Sequence, residues 1–222
     1  MASNPTTYAL LISDIDPWPI PTTLKRKLQE VQLQDGIKER NIACSISMSF
    51  YHVRSKRFFG STFVGYEHVF SITDSTNVSF PARNLNEMMY FQSKIQDRNC
   101  FAVLELVMTT YDSFNGSVAS RYGCGWALLK PFLPTYGTKG NSQLDGILST
   151  GKINVYAGTP KDLLSMKGDG AAVLKQLTNK KVDQPVSTVS YKIWRQDALN
   201  EIITSSNIVR VFHFSLTQHQ ST

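Results

Sequence analysis

Residues 42–53 read I-A-C-S-I-S-M-S-F-Y-H-V. Ile42, Cys44, Ile46, Met48 and Phe50 fall on one side of an extended chain, with Ala43, Ser45, Ser47, Ser49 and Tyr51 between them. Side chains alternate across a strand with a period of two, so this stretch predicts a strand with one buried face. The cluster Arg54-Ser55-Lys56-Arg57 ends it, Phe58-Phe59-Gly60 starts the next turn, and a second strand is expected from Thr62 to Phe70.

Working outward, Cys100 to Met108 reads CFAVLELVM, nearly continuous apolar sequence with one charge at Glu105. That composition predicts a central strand covered on both faces. Gly123 to Leu129 is a further strand, stopped by Lys130-Pro131, and Gly151–Tyr156, Thr188–Trp194 and Ile208–Leu216 add three more. Short strands near Tyr8–Ile12 and Met88–Phe91 complete the set. Two short helices are expected. One runs from Thr22 to Leu33 with Leu24, Leu28 and Val31 at helical spacing, and one opens at Thr159-Pro160, with threonine as the N-cap. Thr135–Thr150 and Lys175–Pro185 are polar and turn-rich and read as loops. The expected fold is all-β: an antiparallel sandwich of about eight or nine strands in a single domain over residues 1–222, with 1–7 and 217–222 loose. Its expected core holds Ile46, Met48, Phe50, Val103, Leu104, Leu106, Trp126 and Leu128.

The 222 residues are 41% hydrophobic and 18% charged, which is ample for a packed core. No apolar run reaches the length a membrane helix needs, and Met1 to Thr7 lacks the pattern of a signal peptide, so a cytosolic location is expected. Cys44, Cys100 and Cys124 form an odd set in apolar strands, which reads as buried reduced thiols. The net charge of +6 is concentrated in residues 1–60 and 152–222. Such a surface attracts anionic lipid, nucleic acid or an acidic protein without choosing among them.

Signs of catalysis are few. His52, His68, His213 and His219 lack metal-ligand spacing, and no nucleophile elbow, phosphate loop or dinucleotide fingerprint occurs. Cys124 sits between Gly123 and Gly125, a placement that fits packing better than an activated thiol. Asp14 and Asp16 form a D-x-D pair before Pro17-Trp18-Pro19, read as a solvated turn because calcium requires more oxygens than the pair provides. Basic residues stand beside aromatics at RSKRFF (54–59) and KIWR (192–195), but a nucleic-acid platform wants several exposed aromatics together. The expectation is a chain that is not an enzyme, with no cofactor, no metal and no nucleic acid.

Several segments carry a likeness in their order. FYHVRSKRFFGSTF (50–63) leads through a basic turn into F-F-G, and LNEMMYFQSKIQDRNCFAVLELV (85–107) contains N-E-x-x-Y-F and an apolar strand. GCGWALLKPF (123–132) is followed by YAGTPKDLL (156–164). Over roughly residues 42–165 the chain resembles the N-terminal region of the nephrocystin-4 family, large scaffolds of the ciliary base. The resemblance implies a C2-like sandwich serving as a protein-interaction module at the ciliary transition zone, with nephrocystin-1 and related proteins as partners. Aligned on Asn86-Glu87, the loop that binds calcium in C2 domains reads Met108-Thr109-Thr110-Tyr111-Asp112-Ser113, where one carboxylate cannot hold the ion. A calcium-independent module is therefore expected, with weak contact to anionic membrane as the alternative use. The candidate binding surface comprises Lys25, Arg26, Lys27, Arg54, Lys56, Arg57, Phe58 and Phe59. The turn is expected to project into solvent, leaving one of the two phenylalanines near the surface.

Overall fold

The computed structural model describes residues 6–26, 40–72, 85–93, 97–111, 116–132, 147–179, 185–196 and 198–199. Among them are nine strands: β1 (Thr6–Asp16), β2 (Arg40–His52), β3 (Arg57–Val64), β4 (His68–Ile72), β5 (Glu87–Ser93), β6 (Cys100–Tyr111), β7 (Val118–Leu129), β8 (Ile147–Tyr156) and β9 (Ser187–Arg195). Residues 22–26 are helical (α1), Pro160–Leu164 form a 3-10 turn, and Gly170–Asn179 form α2. The all-β antiparallel expectation holds.

Strand order is β3-β2-β6-β7-β8-β9-β1-β5, and β4 pairs with β2 beside β3. Between β7 and β8 only Trp126↔Tyr156 and Ala127↔Val155 are paired. At that narrow seam the sheet folds over, giving two layers, β4/β3-β2-β6-β7 and β8-β9-β1-β5. Between them lies one core, filled by Ile46 and Met48 of β2, Leu104 and Leu106 of β6, Leu10 and Ile12 of β1, Met89 of β5 and Ile193 of β9. The register Ile46↔Leu106↔Gly125 and Met48↔Leu104↔Ala127 explains the alternation, since these rows all face inward.

The apolar run in β6 is covered twice, as its composition requires. Its odd-numbered neighbours Phe101 and Val103 point outward with Tyr51, Trp126 and Leu128, and there Leu163, Met166, Val173 and Leu177 cover them. The 3-10 turn and α2 thus roof one half of the outer face.

Two glycines hold the seams. A Cβ on Gly125 would lie 2.7 Å from Val155 Cγ1 and 2.9 Å from Tyr156 O, so the fold-over admits no side chain there. On the opposite side, Gly65 N–H donates to Ile46 O (2.8 Å), and a Cβ on Gly65 would collide with the Glu87 carboxylate. Glu87 is buried, accepts the Tyr66 N–H at 2.9 Å and stands 3.8 Å from His68 Nε2. It clips β5 of one layer to the β3–β4 connection of the other.

Several expectations need correction. Thr62–Phe70 is not one strand: β3 begins at Arg57, ends at Val64, and β4 restarts at His68. Phe58-Phe59-Gly60 therefore lie in a strand rather than a turn. Lys175–Pro185 is not all loop, because α2 runs to Asn179, and residues 147–150 belong to β8. Thr159 makes no side-chain cap bond, although Pro160 does start the helical turn. Asp14 and Asp16 end strand β1 instead of forming a turn. Met108 to Tyr111 are the last residues of β6 rather than a loop. Phe50 is only half-buried. The expected strand Ile208–Leu216, the rest of the Thr22–Leu33 helix, and Asp112 and Ser113 lie outside the described residues.

Candidate partner-binding surface

The basic turn after β2 is held by a short polar network. Val53 N–H donates to Asn99 O (3.0 Å), and Lys56 N–H closes the turn onto Val53 O (3.3 Å). Lys56 has φ +52, a left-handed conformation that the closed turn imposes. Ser55 N–H donates to His52 Nδ1 at 3.2 Å, and Ser55 Oγ lies 2.8 Å from the same nitrogen. That bonding makes Nδ1 the acceptor, so Nε2 carries the proton it points at Asp97 Oδ2, 3.3 Å away. Asp97 Oδ1 in turn accepts Asn99 N–H and Nδ2–H, each at 2.8 Å. The Asn99 backbone bond, assisted by His52, holds the Asp97 carboxyl below its ordinary range. Asn99 Oδ1 accepts Gly170 N–H at 3.2 Å in a buried setting, which ties the network to the start of α2.

Four exposed residues crown this frame: Arg54, Lys56, Arg57 and Phe58. Lys56 Nζ donates to Leu164 O (3.2 Å). Arg54 and Arg98 act on Asp169, whose carboxyl is held low chiefly by the Ala172 N–H. Phe58 pairs with Tyr51, their ring centroids 5.0 Å apart, and remains 46% exposed. Phe59 faces the other way and stacks on Phe50 at 5.8 Å, half-buried against the core. Adjacent strand residues take opposite faces, so one ring anchors the interior and one stays outside. Leu164 is 49% exposed, while Leu163 beside it is buried and accepts the Tyr51 hydroxyl proton at 3.2 Å. Tyr51 thus meets Phe58 with its ring and the 3-10 turn with its hydroxyl, and Lys56 bonds the same turn.

The second basic run is placed elsewhere. Lys25 and Arg26 are exposed on α1, Leu24 just before them is buried in the inter-layer core, and Lys27 lies outside the described residues. Pro19, just before α1, packs over Gly125 in the row of Ile46. That row is six residues along β2 from His52, roughly 20 Å at about 3.3 Å per residue. Pro19, which leads into α1, thus sits well away from the basic turn.

Chemically, the turn is a clamp. Ser55, His52 and Asp97 touch in series, but Ser55 N–H and Lys56 N–H are both consumed within the turn. Neither of these two N–H groups is therefore free to hold an oxyanion beside Ser55 Oγ. Cys124 is buried, donates to Tyr122 O at 3.5 Å, and burial pushes its thiol up to about 12. A thiol held protonated is the reverse of an activated nucleophile. Burial likewise pushes Cys44 up, and Cys100 up to about 11. Among the described residues no group of three or more His, Cys, Asp and Glu side chains is arranged to hold a metal. No described helix is long and apolar enough to cross a membrane.

A contrasting surface lies further down the same layer. Val64 (68% exposed), Val69, Tyr66 and Val118 are exposed around the β3–β4 connection and the β6–β7 hairpin. Tyr111, paired with Val118, donates its hydroxyl hydrogen to Glu67 across β2.

Sequence reading missed His52, Asp97 and Asn99 as the frame of the turn, and Leu164 as the exposed residue whose carbonyl Lys56 bonds. No protein-family model and no curated protein matches this chain.

Proposed function

We propose that this chain is a non-catalytic protein-interaction domain, a calcium-independent C2-like module of a nephrocystin-4-like scaffold. Its place would be the ciliary base and transition zone, with nephrocystin-1 among its partners. The resemblance over residues 42–165 supports the family, and the two-layer antiparallel sandwich is compatible with it. One observation carries the binding role: Phe58 stands 46% exposed at the start of β3, directly after a hydrogen-bonded turn that presents Lys56 and leads into Arg57. Exposed aromatics flanked by cations are favoured anchors at protein interfaces, and bracing reduces the ordering cost of binding. Calcium independence is supported by the use of Thr110 and Tyr111 within the strand, where their hydroxyls donate to Ser120 O and Glu67.

The test combines Arg54→Ser, Lys56→Ser and Arg57→Ser with Phe58→Ser, folding being checked by circular dichroism. Capture of purified nephrocystin-1 should fall at least tenfold, about the effect of losing one interface anchor. Capture equal to wild type at both low and physiological salt would eliminate the turn as the binding site.

A further inference from the structure

The structure assigns the occupant of this surface to an acidic protein segment that places an apolar side chain between Phe58 and Leu164. This rests on the binding role proposed for the turn and extends the site onto the 3-10 turn, which the basic run alone does not reach. The elements that carry the two apolar groups, far apart in sequence, are both tied to Tyr51. Tyr51 supports Phe58 at 5.0 Å and binds Leu163 O, and Lys56 reaches Leu164 O at 3.2 Å. Each is about half exposed, 46% for Phe58 and 49% for Leu164.

Charge complementarity selects the partner. The turn, the 97–98 connection and residues 160–169 hold six cations, Arg54, Lys56, Arg57, Arg98, Lys161 and Lys167, against the carboxylates of Asp97, Asp162 and Asp169. Arg57 and Lys161 are exposed, one leading into Phe58 and the other in the turn that carries Leu164. A segment with carboxylates on both sides of a leucine or phenylalanine matches that order. Complementary charge would steer it in, and the apolar contact would hold it.

A bilayer fits the same chemistry less well. Membrane-docking loops lead with their apolar side chains and keep cations at the headgroups. Here the tip of the turn presents Arg54, Ser55 and Lys56, while Phe58 lies behind it on β3, facing sideways from the sheet.

Fluorescence anisotropy on the 222-residue chain tests this with three labelled peptides. The first has a Leu-Leu pair flanked by aspartates, the second replaces the leucines by serine, and the third replaces the aspartates by asparagine. Expected is saturable binding of the first alone, weakened about tenfold by Leu164→Ser and by Lys161→Ser, the scale of one lost anchor. Both residues are exposed, so these variants should keep the wild-type dichroism spectrum. If the turn variants abolish binding but Leu164→Ser and Lys161→Ser do not, the extension onto the 3-10 turn is wrong and the turn site stands. A wild-type chain that ignores the first peptide overturns the proposal. So does sedimentation with phosphatidylserine vesicles that depends on Leu164 while the peptide does not bind.

Discussion

The outer face of the β2–β6–β7 layer is finished in two different ways along its length. Toward the basic turn its floor is Tyr51, Phe101, Val103, Trp126 and Leu128, and the 3-10 turn and α2 close over it. Toward the β3–β4 connection the outward positions on β2 become Ser47, Ser45 and Ala43, of which Ser45 and Ala43 are still buried, and neither helical element joins the cover. Glu105 stands at the change, half-buried beside Trp126, where partial burial pushes its carboxyl above the usual range. An apolar floor gains from a roof because covering it removes hydrocarbon from water. Serine and alanine offer less hydrocarbon than those rings, so the helical roof is not needed there. The roofed end also has an interlocking polar frame from His52 to Gly170, whereas the open end presents single valines from edge strands. Surface position alone does not make a site; the roofed end has exposed groups standing on a rigid base.

The largest expected effect tests the ladder beneath both ends. Leu106→Ala empties a fully buried position between the layers and should cost about 2–5 kcal/mol in urea denaturation. A loss under about half a kcal/mol would mean the two ends do not share one central strand. Next comes Asn99→Ala, which removes the acceptor of the buried Gly170 N–H and a donor to Asp97. It should cost about 1–3 kcal/mol, the penalty of a buried donor left unpaired. Amide exchange should quicken at Val53 and Gly170 and stay unchanged at Gly65; uniform quickening would show that the frame is not local. The smallest effect belongs to the open end. Val64→Ser and Val69→Ser should each change stability by less than about 0.5 kcal/mol, as exposed positions do. A larger loss would reveal a cover over that face and erase the contrast.

How much of this was legible depended on how many faces each strand buries. β2 and β6 were read nearly to the residue because Ile42, Cys44, Ile46 and Met48 alternate and Phe101 to Leu104 are buried without a break. β3 was misread since Arg57 to Thr62 are exposed or half-exposed, and an edge strand writes almost no pattern. α2 was partly lost to a loop because ten residues offer only Val173 and Leu177 as buried marks, too few to show a period. Of the eight proposed surface residues, Arg54, Lys56, Arg57 and Phe58 lie together at the turn. Phe59 turned inward, and Lys25 and Arg26 are exposed on α1 instead of on the turn.

The sequence by itself determined the fold class, the central strands, the buried reduced thiols and the exposed basic turn, because each is a local matter of side-chain alternation or composition. Only the tertiary structure decided which glycines sit at the seams, that Glu87 crosses from one layer to the other, and that Lys56 reaches the Leu164 carbonyl. Those relations join residues more than twenty, and in the last case more than a hundred, positions apart. They follow from strand order and register, which alternation within one strand cannot specify.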